Sequence, residues 1–192
     1  MKPVALAAVL LLACAPDAAA GGKERPRVVL VEAEGSEEGL SAFVARLESE
    51  LSDRGKVVLS DARLSGATLG ALASEPDGDR AKAFRSEWPG EAWLAVTLSP
   101  CRVEVSRMSY RDRTDEGYVV DRVVENVRVD CPASLRVVDA GTGRGAPPLS
   151  VTGTAGYRRE GGEDEEGPEL EATRDAAEKA AKKLPSVLKS AR

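Results

Sequence analysis

Cys101 and Cys131 stand at equal distances in sequence from the segment Thr114-Asp115-Glu116-Gly117-Tyr118. That segment has the make-up of a three-residue hairpin turn: a type I turn over Asp115 and Glu116, then Gly117 in the left-handed conformation it tolerates. Folding the chain about this turn sets Arg102 opposite Asp130, Glu104 opposite Arg128, Arg107 opposite Glu125 and Arg111 opposite Asp121. All four pairs are opposite in sign. The same register sets Val103 beside Val129, Val105 beside Val127 and Cys101 beside Cys131. A slip of one residue would turn every side chain to the other face. Each cross-strand pair contributes only about 0.2–1 kcal/mol, so the charges specify register more than they supply stability. The chemistry open to the two thiols is oxidation to a disulfide, worth roughly 3–4 kcal/mol for a loop of this size. The alternative is two buried free thiols; a redox-active pair does not fit a spacing so far from C-x-x-C.

Alternation along the hairpin gives Cys101, Val103, Val105, Val127, Val129 and Cys131 one apolar face, with Arg102, Glu104, Arg128 and Asp130 on the opposite one. Toward the tip, Arg107, Arg111, Asp121 and Glu125 interrupt the apolar face, so the distal half is expected to project into water. The candidate partner-binding residues are therefore Arg107, Arg111, Arg113, Asp115, Glu116, Tyr118, Asp121 and Arg122.

Other chemistry has little to stand on. The 192 residues contain no histidine, which removes His-based acid/base catalysis, Ser-His triads and most zinc or iron sites. No catalytic residue, metal ligand or cofactor is assigned. A carboxylate hydrolase would have to draw on residues such as Asp121, Glu125 and Asp139, and aromatics for sugar stacking are only 4% of the chain. Glu163 to Glu166 lack the spacing of a calcium loop, and Gly141-Thr142-Gly143-Arg144-Gly145 lacks the Lys-Ser/Thr of a phosphate loop. A net charge of −5 argues against nonspecific nucleic-acid binding.

The amino-terminal segment carries the remaining cysteine. Met1-Lys2 is a short positive start, and Val4 to Ala13 is an apolar run too short to span a bilayer as a helix. The run ends Leu11-Leu12-Ala13-Cys14, which resembles the lipobox of bacterial lipoproteins, in which the cysteine thiol is diacylglycerylated and cleavage falls just before it. Residues 1–13 are then a signal peptide and residues 14–25 a lipidated cysteine and flexible tether. The rival site is Ala18-Ala19-Ala20 before Gly21, which would release a soluble chain without Cys14. With Cys14 carrying lipid, Cys101 and Cys131 are left in an oxidising compartment, where their pairing is the expected state. Ala15 carries no Asp-type inner-membrane retention signal, so the outer membrane, facing the periplasm, is the expected location.

Residues 26–192 read as one domain. Arg27 to Glu32 is a buried strand. Leu40, Phe43, Val44, Leu47 and Leu51 recur at helical spacing between a Ser36 N-cap and Gly55. Lys56 to Ser60 is a second strand, 61–73 a helix weakened by Gly66 and Gly70, Asp79 to Glu87 another helix, and Ala92 to Leu98 a third strand. After the hairpin, Ser134 to Asp139 continues the sheet and Leu149 to Tyr157 returns as a strand. Residues 158–169 read as an acidic surface loop, and Glu169 to Ala191 as a final helix that Pro185 kinks or divides. The fold class is α/β (α+β): a mixed sheet with a long antiparallel hairpin, packed by helices in a two- or three-layer sandwich.

This order of elements, with Leu135-Arg136-Val137-Val138-Asp139 leading into Thr142-Gly143, resembles the curli-secretion lipoprotein superfamily. That group includes lipoproteins that activate penicillin-binding proteins and the amino-terminal domain of the Tol-system translocation protein. The resemblance implies an exported, non-enzymatic binding or scaffold module for an envelope protein or complex. A subunit of an oligomeric outer-membrane secretion channel is the alternative, disfavoured by charges on both faces of the hairpin tip.

Overall fold

Val28, Val29, Leu30 and Val31 are all buried although successive side chains of a strand point to opposite faces. Their strand, β1 (Arg27–Glu34), is therefore covered on both sides, as a continuous apolar run predicts. The computed structural model describes residues 25–160 and 167–192. Cys14, the leader, most of the tether and the acidic run Glu163 to Glu166 lie outside the described residues.

The remaining elements are α1 (Glu37–Arg54), β2 (Val58–Asp61), a 3-10 turn (Arg63–Ser65), α2 (Leu69–Ser74), α3 (Asp79–Glu87), β3 (Ala92–Leu98), β4 (Arg102–Arg113), β5 (Val119–Asp139), β6 (Leu149–Glu160) and α4 (Pro168–Ala191). The Ser36 hydroxyl accepts a hydrogen bond from the Gly39 N–H at the start of α1, and Gly55 closes that helix at φ 59°. Both caps are where the sequence puts them. The helix expected over 61–73 is instead two short pieces, because Gly66 takes a left-handed conformation and Thr68 starts a new helix by accepting from the Ala71 N–H.

β1 pairs in parallel with β2 and β3; β5 pairs antiparallel with β3, β4 and β6. β3 and β4 lie along the same side of β5, one after the other. Between them Ser99, Pro100 and Cys101 face only Cys131 and Pro132, three residues against two. This bulge reverses the parity of the strand. Before it, Ala92, Leu94 and Val96 share a face with Leu135 and Val137; after it, Cys101 and Val103 do. The sequence places the hairpin between Cys101 and Cys131 and continues the sheet from Ser134 to Asp139. The structure has one strand of 21 residues. Pro132 is tolerated inside it because its missing N–H falls at the bulge, where the ladder is already interrupted and its carbonyl accepts from the Ser99 N–H.

Two apolar layers follow. On one face, α1 and α4 cover Val28, Leu30, Leu94, Leu135 and Val137. On the other, α2, α3 and Ala62 cover Val29, Val31, Trp93 and Val138, with Phe84 edge-on to Trp93 at 6.2 Å. The sandwich has three layers around β1 and β3 and two beyond the bulge, where α4 alone caps Val129, Cys131 and Ala155 through Ala172.

α4 lies close to the sheet because its inner stripe is small: Ala172, Ala176, Ala177, Ala180 and Ala181 are all buried. Pro185 does not divide it; the helix is unbroken to Ala191, with Leu184 and Leu188 buried either side. The tightest point is Gly153 on β6, where a Cβ would stand 1.7 Å from the Ala172 carbonyl oxygen. Gly153→Val should therefore destabilise the fold by about 1–3 kcal/mol or more through forced displacement of α4. Urea unfolding checks this; an unchanged midpoint would mean that α4 is not seated as described.

Candidate functional site

The hairpin has the register that its charges specify. Arg102 stands opposite Asp130, Glu104 opposite Arg128, Arg107 opposite Glu125 and Arg111 opposite Asp121, with Val103 beside Val129 and Val105 beside Val127. The turn is also as expected: the Gly117 N–H donates to the Thr114 carbonyl, Gly117 sits at φ 89°, and the Thr114 N–H donates to the Tyr118 carbonyl. Cys101 and Cys131 are joined, with their Cα atoms 4.2 Å apart. The Thr114–Tyr118 bond fixes which pairs exchange ladder hydrogen bonds. Those at even-numbered β4 residues do, and the odd-numbered ones, continuing back to Cys101–Cys131, do not. Non-hydrogen-bonded pairs are the closer kind, at about 4.5 Å between Cα atoms, which suits a bridging cystine.

Not every opposed pair is an ion pair. Arg107 donates to Glu125 at 2.5 Å, and Arg111 lies 3.4 Å from Asp121. Arg128, however, turns along its own strand to Asp130 at 3.2 Å rather than across to Glu104. Asp130 also accepts from the Thr154 hydroxyl on β6 at 2.9 Å. The Thr154 bond and, after it, Arg128 hold the Asp130 carboxyl below the usual aspartate range. Arg122 pairs diagonally with Asp112 at 2.9 Å, on the face opposite Arg107 and Arg111.

Glu125 is the best-held charge of the ribbon. Arg107 grips one carboxylate oxygen and Arg159, on β6, the other, each at 2.5 Å. These two guanidiniums, Arg107 first, hold the Glu125 carboxyl below the usual glutamate range. Arg159 was not legible as a partner because residues 158–160 read as the start of a loop. They are instead the last rungs of β6, paired with Asn126, Glu125 and Val124. After Tyr157 the alternation of β6 gives way to charged residues, so the sequence carries no local signal that the strand continues.

The tip residues are exposed as expected, Arg113, Asp115, Glu116, Tyr118 and Asp121 among them. The apolar face is another matter. Val127, Val129 and Cys131 are buried, but Val103 and Val105 on β4 are 52% and 46% exposed. Met108, Tyr110, Tyr118, Val119 and Val123 are exposed too. Alternation identifies an apolar face without saying that anything covers it, and α4 reaches only β5 and β6. A groove of roughly 410 Å³ results, floored by Cys101, Val103, Val127, Val129 and Tyr157 and walled by the first turns of α1 and α4.

The carboxylates considered for hydrolysis all have other work. Asp121 and Glu125 are held by arginines as above. Asp139 ends β5 and closes the following turn, its Oδ1 accepting from the Gly141 N–H, the Thr142 N–H and the Thr142 hydroxyl. That turn leads from β5 into β6, the hairpin connection expected of this glycine-rich segment. Among the described residues, no cluster of three or more Cys, Asp or Glu side chains is arranged to hold a metal ion.

Two outcomes follow. Replacing both Cys101 and Cys131 with Ser should lower stability by about 3–4 kcal/mol, read by denaturant unfolding with and without reductant; no difference would mean that the bridge does not constrain the unfolded chain. For Glu125, a carboxyl whose pKa is lowered on folding stabilises above its unfolded value, and that stability is lost as pH falls through the folded value. Amide protection at the distal rungs should therefore drop below the ordinary glutamate range, and Glu125→Gln should flatten the dependence. Equal pH profiles for the two proteins would remove Glu125 from the account.

No protein-family model and no curated protein matches this chain. Solved structures do. The hypothetical protein CT253 from Chlamydia trachomatis is 8% identical, with 85% of this chain and 98% of that one covered at a TM-score of 0.53. Lipoprotein GNA1162 from Neisseria meningitidis is 15% identical over 73% of this chain and 88% of its own, at a TM-score of 0.33. A minor lipoprotein from Acinetobacter baumannii is 12% identical over 84% and 90%, at 0.33. The first of these likenesses shows that the mixed sheet with its helices is a fold found elsewhere among bacterial proteins.

Proposed function

We propose that this chain is a lipid-anchored lipoprotein of the cell envelope, of the curli-secretion type, that binds an envelope protein or complex through its distal hairpin without catalysing a reaction. The observation that carries the reading is polarity. β1 runs parallel to β3, and β3 leads directly into β4. The chain therefore enters the fold at one end, where Arg25 lies against Gly55, and the hairpin tip lies at the other. β5 alone spans about 70 Å at roughly 3.4 Å per residue.

The tether from Cys14 to Arg25 reaches at most about 40 Å when fully extended. A domain anchored at Cys14 thus holds its exposed ribbon well away from the membrane that bears the lipid, facing the periplasm if that membrane is the outer one. A non-enzymatic role is supported by the engagement of the candidate carboxylates. A channel-forming hairpin would need one face apolar across the lipid, whereas Arg107, Arg111 and Glu125 lie on one face of this ribbon and Asp112 and Arg122 on the other.

Photo-crosslinking in the native cell tests the reading. A crosslinker at Tyr118 should yield one discrete adduct with an envelope protein, and one at Glu48, on the exposed side of α1, should not. Mass spectrometry of the same material should show Cys14 as an acylated amino terminus. An intact Met1 with unmodified Cys14 would end the anchoring proposal, and equal adducts from both positions would end the assignment of the hairpin.

A further inference from the structure

β4 is bonded to a neighbour on one side only. Its even-numbered residues direct their N–H and C=O groups to β5, as the Thr114–Tyr118 bond dictates. Val103, Val105, Arg107, Ser109, Arg111 and Arg113 direct theirs outward. On that side β1 accompanies β3 as far as Glu34, opposite Thr97, and then stops. Beyond it, among the described residues, no strand pairs with the outer edge of β4. The lane that β1 fills beside β3 is open beside β4 for 12 residues.

The edges at β2 and β6 offer less to such pairing. β2 is only four residues long. On β6, the Thr154 N–H donates to Asp175 at 2.8 Å and the Thr152 carbonyl accepts from Lys179 at 2.9 Å, so α4 side chains occupy the middle of that edge. β4 has no proline, no helix covers its edge among the described residues, and it is about twice the usual strand length of five to six residues.

The side chains along this edge have a pattern as well as a length. Val103, which borders the groove at the cystine, and Val105 come first, followed on the same face by Arg107, Arg111 and Arg113. In a chain of net charge −5, β4 carries four arginines against Glu104 and Asp112. Arg107 and Arg111 have carboxylate partners, yet their side chains are 73% and 82% exposed, which leaves guanidinium N–H groups directed to solvent. A strand laid here would set every second side chain first against valines and then against arginines.

We propose that the outer edge of β4 accepts an extended segment of a partner protein as an added strand, with apolar residues against Val103 and Val105 and acidic residues against Arg107, Arg111 and Arg113. The proposal rests on the reading of the hairpin as the binding surface and specifies its mode. Main-chain hydrogen bonds supply the affinity and the alternating side chains the selectivity.

The test uses the full-length chain and a fluorescent ten-residue peptide with threonine at every second position. The intervening positions carry valine at one end and glutamate at the other, and the peptide is made in both sequence directions. One direction should bind and slow amide exchange at Val105 and Ser109. N-methylation of alternate peptide amides, or lysine in place of glutamate, should weaken binding by about tenfold or more. Ser109→Pro removes an outward N–H without touching the β5 ladder; it should abolish binding while the even-numbered β4 amides stay protected. Binding that ignores N-methylation, or protection that falls elsewhere, would overturn the proposal. So would protection of the β4 edge by a second copy of the chain in the absence of peptide. If no peptide binds while the Tyr118 crosslink persists, the hairpin remains the binding surface and strand addition is wrong.

Discussion

The bulge at Ser99-Pro100-Cys101 is the constraint on which the rest of the architecture turns. One extra residue reverses which side chains of the β3–β4 strand face the two long helices. Without it, Val103 and Val105 would join the polar face and Arg102 and Glu104 would point toward the first turns of α1 and α4. The charges would then stand in the groove beside the cystine, in place of the valines that border it now. The bulge, Pro132 opposite it and the cystine beside it thus mark where a doubly covered sheet becomes a ribbon covered on one side. β5 crosses that boundary without a break and belongs to both parts.

The charges along the ribbon do different things at different depths. Near the root, Asp130 is satisfied by Thr154 and Arg128, which ties β5 to β6 and not to β4. Farther out, Glu125 is gripped from both sides and joins all three strands at one rung. Farther still, Arg111 and Asp121 face each other almost fully in water, where such a pair contributes little to stability. Opposed charges therefore guide the strands into register along the whole hairpin, but only the inner ones hold the ribbon to the body.

How much of this was legible in the sequence depended on whether the signal was local. The turn, the strand register, the caps of α1 and the cystine pairing all follow from residues a few positions apart or mirrored about Gly117. The layout of helices and strands follows from periodicity. What could not be read was what lies against what. The passage of β5 through Pro132 depends on a bulge in another strand. Arg158 and Arg159 looked like a loop because the strand they extend is justified by Glu125, more than thirty residues earlier. Val103 and Val105 read as part of an apolar face, and alternation carries no information about whether that face is covered. The candidate surface was thus located at its charged tip, while its apolar root and its open edge emerged only from the packing.

The cystine also has a mechanical consequence. A partner seated along the edge of β4 that pulls it sideways, away from β5, loads the β4–β5 ladder one rung at a time, the mode in which hairpins give way most easily. Such peeling would begin beside the turn, where the pairs are solvated and weak, and would travel inward. It meets a covalent link at Cys101–Cys131, before it reaches Leu135, Val137 and the strands that carry the core. The ribbon can thus come apart under load and re-form while the body stays folded, with the bridge acting as a stop between the two.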